Sequence, residues 1–201
     1  KIYGGQSFYQ RKEIKNLLIA SMNSLGINVV DISLVPTPIC YFATKKLNIS
    51  NSIMITGSHN PQEYNGFKII INNESFYGKQ IKDLNNIKIH NKSSIKGSLK
   101  YVNISDAYID EILNKVEILK NLKIVWDIGN GVIGSMFHSL INKVKGDHLV
   151  INSTVDGNFP NHHPDPTVLK NNIQISNLVI EGGYDLGISF DGDGDRLGII
   201  D

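Results

Sequence analysis

Short apolar runs alternate with segments of helical spacing along most of this chain. Apolar residues recur every three or four positions between residues 9 and 25, which predicts a helix that ends at Gly26. The elements predicted to follow are an extended segment at 28–32, a helix at 38–47, and strands at 52–56 and 67–71. This order predicts a mostly parallel sheet covered by helices.

The pattern dissolves between residues 89 and 99 into a polar stretch, which we interpret as a domain boundary. A second α/β unit follows. Ser105 is expected to cap its first helix, whose apolar face includes Val116 and Leu119. The other predicted elements are a strand at 123–128, a helix that ends at 141, and strands at 148–151 and 185–190. We therefore predict two domains, residues 1–94 and 95–201.

Composition limits the partners of the chain. Of its 201 residues, 41% are hydrophobic and 19% are charged, enough for one large core or two modest ones. The net charge is +1 and the charges are scattered, so neither nucleic-acid binding nor a polybasic membrane surface is expected. No apolar run approaches the roughly 20 residues that span a bilayer. The single cysteine, Cys40, is expected to pack in a core and favours a reducing compartment, so we expect a cytoplasmic protein.

Three aspartates separated by single glycines follow the last predicted strand: Asp191, Asp193 and Asp195. Carboxylates this close together would repel each other and partly protonate unless a cation shared them, and the glycines let the backbone turn tightly. Hard oxygen donors favour Mg²⁺ or Ca²⁺ over zinc or copper. The loop therefore predicts a divalent-cation site.

Three other interpretations of this loop stay open. The simplest is a solvated acidic turn. An EF-hand would need Gly at its sixth position and Glu at its twelfth, whereas Arg196 is sixth and the chain ends before the twelfth. In a haloacid-dehalogenase-type phosphatase, Asp191 and Asp193 would form the nucleophile's Asp-x-Asp pair, but those enzymes need further Lys and acidic residues downstream.

A second motif lies between two strands of the first unit, at 56–68. Gly57 permits a sharp exit from the strand and Pro61 stiffens the return, which leaves Ser58 at the tip of a constrained turn. His59 and Lys68 can supply positive charge or hydrogen bonds to an anion held on that serine. A purely structural turn, in which the hydroxyl bonds the local backbone, explains the same residues.

Four segments resemble one family. Thr-Gly-Ser-His-Asn-Pro at 56–61, with Asn-Gly-Phe-Lys at 65–68, is similar to the phosphoserine loop of the α-D-phosphohexomutases. Asp-Gly-Asp-Gly-Asp-Arg at 191–196 is similar to their magnesium loop. Leu-Val-Pro-Thr-Pro at 34–38 and the segment at 155–166 resemble the phosphomannomutase/phosphoglucomutase branch, whereas the phosphoglucosamine mutase branch usually has Ser-Ala-Ser-His-Asn-Pro.

The resemblance implies a role for each matching residue. Ser58 would be phosphorylated and would pass its phosphoryl group to a sugar. Asp191, Asp193 and Asp195 would hold one Mg²⁺ per active site, with an oxygen of the Ser58 phosphate as a further ligand. The implied reaction interconverts hexose 6-phosphate and hexose 1-phosphate, of mannose or glucose, through a bisphosphorylated sugar. Glucose 1,6-bisphosphate or an equivalent would be the activator.

The remaining implied site residues surround the phosphoryl group. His59 and Lys68 would flank it as catalytic residues. Arg196 would hold phosphate and take part in catalysis, and Asn60 would shape the phosphate-binding loop. Phosphoryl transfer depends mainly on alignment and on cancelling negative charge, which suits this set of side chains.

The resemblance covers only part of the family's architecture. It implies two consecutive mixed, mostly parallel three-layer α/β domains, which are the first and most of the second of four, and the C-terminal domains are expected on a full-length chain. The sugar-recognition loop belongs to the missing part, so the choice between mannose and glucose stays open. Two hypotheses follow: a phosphohexomutase, or a catalytically silent Mg²⁺- or phosphate-binding remnant that acts through a partner.

Two further segments are interpreted structurally. His162 and His163 are adjacent, so their side chains are not expected to share a metal, and the surrounding prolines indicate a shaped loop. The glycine-rich segment at 127–131 lacks the full dinucleotide-binding pattern and is interpreted as a strand-to-helix connection.

Overall fold

The computed structural model of the chain describes residues 10–57, 64–88, 93–117 and 120–201. The elements predicted in the first unit are present, with ends within one residue of the predicted ones, and two short strands, a helix and a 3₁₀ turn are additional. The elements of this unit are α1 (Gln10–Ser24), β1 (Val29–Asp31), α2 (Thr37–Lys46), β2 (Ser52–Thr56), β3 (Gly66–Ile71), β4 (Glu74–Phe76), α3 (Lys79–Asp83), a 3₁₀ turn (Leu84–Asn86) and β5 (Leu99–Tyr101).

The first unit contains both kinds of strand pairing. β1 pairs with β5 in parallel, whereas β2, β3 and β4 form an antiparallel sheet. The antiparallel pairing departs from the parallel order expected for these strands. Its physical cause is the connection at 57–65, which is too short for the crossover of a dozen or more residues that parallel strands require. As a result Thr56 lies directly opposite Gly66 at the base of this connection.

The second unit has the predicted parallel sheet with one added strand. Its elements are α4 (Ser105–Leu113), β6 (Lys123–Asp127), α5 (Gly134–Ile141), β7 (Asp147–Ile151), a 3₁₀ turn (Leu169–Asn172), α6 (Ile173–Gly182), β8 (Leu186–Phe190) and β9 (Leu197–Ile200). The strand order is β7-β6-β8-β9, and only β9 is antiparallel to its neighbour. β6 and β8 are parallel, so the loops that follow them meet at one edge of the sheet. The α/β fold class is thereby confirmed.

The prediction for helix α4 was wrong in two details. Ser105 is the first residue of the helix and not its cap, because Ile104 occupies the cap position. The Ser105 backbone N–H donates to the Asn103 side-chain oxygen at 3.1 Å. The helix ends at Leu113, so Val116 lies beyond it and is exposed. Leu119 lies outside the described residues.

One apolar core joins the two units. It combines residues of β1, α2 and β2 with Ile109 of α4 and Met136 of α5. Cys40 lies in this core with no exposed surface, and burial raises the pKa of its thiol to about 11, as befits a packing residue. β5 lies after the predicted boundary at residue 94, but it pairs with β1 and so belongs to the first unit. Among the described residues, no helix combines the length and apolar character needed to cross a bilayer.

Candidate active site

The acidic loop lies at the carboxyl end of β8 and leads into β9. One carboxylate oxygen from each of Asp191, Asp193 and Asp195 lies within 4.8 Å of the others. Asp191 and Asp193 have no exposed surface, whereas Asp195 is partly exposed. The three carboxylates thus converge as the sequence predicted, on a site that is buried on one side and open on the other.

Asp191 holds the turn of this loop together. Its Oδ1 accepts hydrogen bonds from the backbone N–H groups of Asp195 and Arg196, both at 3.0 Å, and its Oδ2 accepts a hydrogen bond from Arg196 Nε at 3.1 Å. Burial, together with the charges of Asp193 and Asp195, raises the pKa of the Asp191 carboxyl to about 6, against the opposing effect of Arg196. The surroundings therefore disfavour the ionised form of Asp191 relative to a carboxyl in water, and a bound cation would oppose this effect.

Asp193 is held by the first unit. Its Oδ2 accepts hydrogen bonds from the hydroxyls of Thr37 at 2.7 Å and Thr56 at 3.2 Å. The Thr37 backbone N–H also donates to the Asp193 carbonyl oxygen at 2.9 Å. Thr37 begins α2 and Thr56 ends β2, so the start of α2 and the end of β2 both contact the acidic loop.

Lys68 of β3 bridges two of the carboxylates. Its Nζ lies 2.8 Å from Asp193 Oδ2 and 2.7 Å from Asp195 Oδ2. Burial lowers the pKa of this ammonium group, but the hydrogen bonds to the two aspartates outweigh burial, and the net pKa is raised. Lys68 is therefore a fixed positive charge beside the acidic loop at neutral pH.

Arg196 connects the acidic loop to the segment at 155–166. Besides its contact with Asp191, its Nη1 lies 3.7 Å from Asp165 Oδ1. The segment is anchored at His162, whose Nε2 lies 2.8 Å from Oδ2 of the fully buried Asp127 at the end of β6. The hydrogen bond to Asp127 outweighs burial and raises the pKa of the His162 imidazole. His162 has the structural role that its sequence context indicated.

The connection from β6 to α5 is hydrogen-bonded to the acidic loop. Asp127 Oδ1 accepts from the Gly129 backbone N–H at 2.8 Å and from Asn152 Nδ2 at 3.0 Å, which fixes the turn. The Val132 backbone N–H then donates to the Gly192 carbonyl oxygen at 3.1 Å. This segment is a strand-to-helix connection, as predicted from its incomplete glycine pattern.

The structure brings together five of the predicted site residues. These are Lys68, Asp191, Asp193, Asp195 and Arg196. Ser58, His59 and Asn60 lie outside the described residues.

Sequence reasoning missed three polar neighbours: Thr37 and Thr56 beside Asp193, and Asp165 beside Arg196. All three belong to segments already noted for their resemblance to the family, but their positions beside Asp193 and Arg196 depend on contacts between residues far apart in the sequence.

The residues present fit a divalent cation. Three carboxylates converge, and Lys68 and Arg196 contact them among the described residues. Oxygen-only ligands of this kind suit hard cations. The aspartate triad can therefore bind a metal ion.

Comparison with known proteins gives the family. The family model for phosphoglucomutase/phosphomannomutase alpha/beta/alpha domain I matches residues 7–94, and that for domain II matches 106–201. A phosphomannomutase/phosphoglucomutase of Pseudomonas syringae pv. tomato is 43% identical over 94% of this chain and 41% of its own length. A phosphoglucomutase of Neisseria gonorrhoeae is 35% identical over 94% of this chain and 42% of its own length.

A solved structure agrees with these matches. The crystal structure of a phosphoglucomutase/phosphomannomutase family protein from Burkholderia thailandensis superposes with a TM-score of 0.84 at 31% identity, over 98% of this chain and 45% of that chain. The chain thus spans less than half the length of these relatives. Two consecutive domain models of one family match it in order, so the chain belongs to the phosphoglucomutase/phosphomannomutase family and carries residues of its domains I and II.

Proposed function

We propose that this chain supplies the phosphoryl-transfer half of a phosphohexomutase, which interconverts hexose 6-phosphate and hexose 1-phosphate of mannose or glucose. In this proposal Ser58 carries the phosphoryl group. Its P–Oγ bond breaks as a P–O bond forms to a sugar hydroxyl oxygen, the proton of that hydroxyl ends on the released Ser58 oxygen, and the bisphosphorylated sugar later returns its other phosphoryl group to Ser58. Glucose 1,6-bisphosphate or an equivalent primes the serine. The lone, buried Cys40 accords with action in the reducing cytoplasm.

The observation that carries the proposal is the position of Thr56. Its hydroxyl contacts the buried Asp193 carboxylate at 3.2 Å, so the end of β2 lies against the acidic loop. Consecutive Cα atoms lie about 3.8 Å apart, and Ser58 is two residues further on, so its Cα can be no more than about 7.6 Å from that of Thr56. This bound supports the assignment of a Ser58 phosphate to the neighbourhood of the aspartate triad.

The described side chains suit the charge of a transferring phosphoryl group. Lys68 keeps its proton because its pKa is raised, so we assign it the neutralisation of charge on the phosphoryl oxygens and not the role of a base. Arg196, held between Asp191 and Asp165, is assigned to binding phosphate. His59 and Asn60 are assigned to flanking the group and shaping the loop, on the family resemblance alone.

Asp191, Asp193 and Asp195 would hold Mg²⁺, which when bound would add electrostatic stabilisation of the phosphoryl oxygens. The described contacts hold the three carboxylates converged. Backbone N–H groups and the Arg196 side chain donate to both oxygens of Asp191, which fixes its orientation in the loop. That arrangement disfavours the phosphatase alternative, in which a carboxylate oxygen of Asp191 would have to attack the substrate phosphorus.

The proposal is tested by intact-mass spectrometry of the chain after incubation with glucose 1,6-bisphosphate and Mg²⁺. We expect a gain of one phosphoryl group, which is absent in Ser58→Ala and retained in Ser75→Ala, a matched change at an exposed serine of β4. Peptide mapping should place the label on Ser58. A label on Asp191 would establish the phosphatase instead, and a folded chain that gains no phosphate would support the catalytically silent remnant.

A further inference from the structure

One oxygen of the acidic loop receives hydrogen bonds only from the first unit among the described residues. Asp193 Oδ2 accepts from Thr37 Oγ1 at 2.7 Å, Lys68 Nζ at 2.8 Å and Thr56 Oγ1 at 3.2 Å. Asp193 belongs to the second unit by sequence, more than a hundred residues from each donor. The position of this carboxylate is therefore set by elements outside its own sheet.

Thr37 makes the shortest of these hydrogen bonds and adds a second one. Its backbone N–H donates to the Asp193 carbonyl oxygen at 2.9 Å, so one residue forms hydrogen bonds with both the side chain and the main chain of Asp193. Thr37 and Asp193 have no exposed surface, so water cannot replace either bond. A hydrogen bond to a buried carboxylate is stronger than one between neutral groups, and its loss leaves the charge under-solvated.

The sequence around Thr37 makes its backbone N–H the main-chain donor at this position. Pro36 and Pro38 lack a backbone N–H, so Thr37 supplies the one main-chain donor of this three-residue segment. Its N–H lies at the start of α2, where the helix itself offers no partner, and Asp193 satisfies it. Pro36 also packs close to Gly194 of the acidic loop.

We propose that Thr37 is a positioning residue for the cation site: its hydroxyl and backbone N–H lock Asp193 against the first unit, so that the three carboxylates converge on one ion. This inference rests on the proposed function, in which the triad binds Mg²⁺. It adds that the affinity of the metal loop is set by a residue of the other unit that does not itself bind the ion.

The test is isothermal titration of the 201-residue chain with Mg²⁺, repeated with Mn²⁺, using Thr37→Val, Thr37→Ser and Thr44→Val. Removing a residue that orients a metal ligand typically weakens binding roughly 10- to 100-fold, and we expect a loss in this range for Thr37→Val. Thr37→Ser keeps the hydroxyl and should bind nearly as the wild type does. Thr44→Val is the matched control, because Thr44 is a buried threonine of the same helix whose hydroxyl donates to the Tyr41 carbonyl oxygen.

A merely structural role for Thr37 predicts a different pattern. Thr37→Val and Thr44→Val would then lower the thermal midpoint in EDTA and leave the cation affinity of the folded chains unchanged, which would overturn the inference. If Thr37→Val does not fold, Thr37→Ala removes the same hydroxyl with a smaller side chain, and unchanged affinity in that variant overturns the inference as well. Asp193→Asn separates the two proposals. If it abolishes binding while Thr37→Val does not weaken it, only the inference fails, and if the wild type binds neither ion, the proposed metal site fails with it.

Discussion

The ionisation of Asp191 depends strongly on its surroundings. Burial and two neighbouring carboxylates raise its pKa from 3.8 to about 6, so the folded, metal-free chain binds this proton more tightly than the unfolded chain does. The penalty for burying the charge is fully present above pH 6 and disappears as the pH falls through 6 towards the unfolded value. A bound cation reverses this preference, because it favours the ionised carboxylate.

The first prediction follows from that linkage. Below pH 6 a proton competes with the cation for Asp191, so Mg²⁺ or Mn²⁺ affinity should fall by roughly tenfold per pH unit. In EDTA the opposite trend is expected: the wild type should gain about 1.4 kcal/mol of unfolding free energy relative to Asp191→Asn between pH 7.5 and pH 5, because pH 5 lies one unit below the folded pKa of about 6. Titration calorimetry and urea denaturation measure the two effects. Cation affinity that stays flat from pH 7.5 to 5 would contradict the assignment.

The pair of His162 and Asp127 gives a prediction of opposite sign. The pKa of His162 is raised by the hydrogen bond to Asp127, so the stabilisation is fully present below the unfolded pKa of the imidazole and is lost as the pH rises through the folded one. His162→Asn should therefore lose about 1–3 kcal/mol of unfolding free energy at pH 6 and less at pH 9, as measured by urea denaturation. His163→Asn, a change at the exposed neighbouring histidine, should show little loss at either pH. Equal losses for His162→Asn at both pH values would contradict a charged pair.

At the scale of elements, the turn from β8 to β9 depends on the backbone of Gly194. This residue has φ +70°, which L side chains rarely adopt, and an added Cβ would lie 3.2 Å from Pro36 Cβ. Gly194→Ala should therefore cost about 1–2 kcal/mol of unfolding free energy. Because the displaced turn carries Asp193 and Asp195, cation affinity should fall roughly tenfold or more.

Gly183 provides the matched control for this third prediction. It ends α6 with φ +62°, and an added Cβ would have no neighbour within 4 Å. Gly183→Ala should thus carry a similar backbone penalty without weakening the cation site. Thermal unfolding in EDTA and calorimetry with Mg²⁺ separate the two effects. If both alanine variants bind Mg²⁺ equally well, the geometry of the turn does not control the site.

The sequence predicted those elements whose signal is local. β2 is found with its predicted bounds because an apolar run between polar residues is a strong local pattern, and the aspartates lie at the end of β8 for the same reason. β4 and β5 were missed because each has three residues, largely exposed, that become strands only by pairing with β3 and β1. β9 was missed because the aspartate loop was interpreted without its return strand.

The candidate site likewise has a part that the sequence predicted and a part that it did not. The aspartate triad was predictable, since its ligands lie within five residues of one another. The contacts of Thr37 and Thr56 with Asp193 were not, because they join residues 156 and 137 positions apart and are created only when α2, β2 and the acidic loop pack together. Hydrophobic periodicity carries no information about such polar contacts.

At the scale of the molecule, the core that joins the two units decides how they unfold. Met136 of the second unit packs among buried residues of α2 and β2, and the polar contacts of Asp193 continue this interface to the acidic loop. Two α/β units that share buried apolar side chains cannot separate without exposing them to water. The described parts of the two units should therefore unfold as one cooperative body.

The fourth prediction uses the chain's single tryptophan and single cysteine as reporters. Trp126 packs against Phe137 in the second unit, whereas Cys40 is buried in α2 of the first. Fluorescence of Trp126 and pulsed thiol labelling of Cys40 should give the same denaturation midpoint. Met136→Ala should lower the unfolding free energy seen by both reporters by about 2–5 kcal/mol, because it leaves a cavity in the shared core.

Val179→Ala is the control for this experiment, because Val179 lies in a core cluster of the second unit that the first unit does not share. Under full cooperativity it too should shift both reporters together. Independent units would instead give a Val179→Ala variant in which the Trp126 transition moves and the labelling of Cys40 does not. That separation would show that the shared core is too weak to couple the units, and the position of Asp193 would then depend on its polar contacts, including those with Thr37, Thr56 and Lys68.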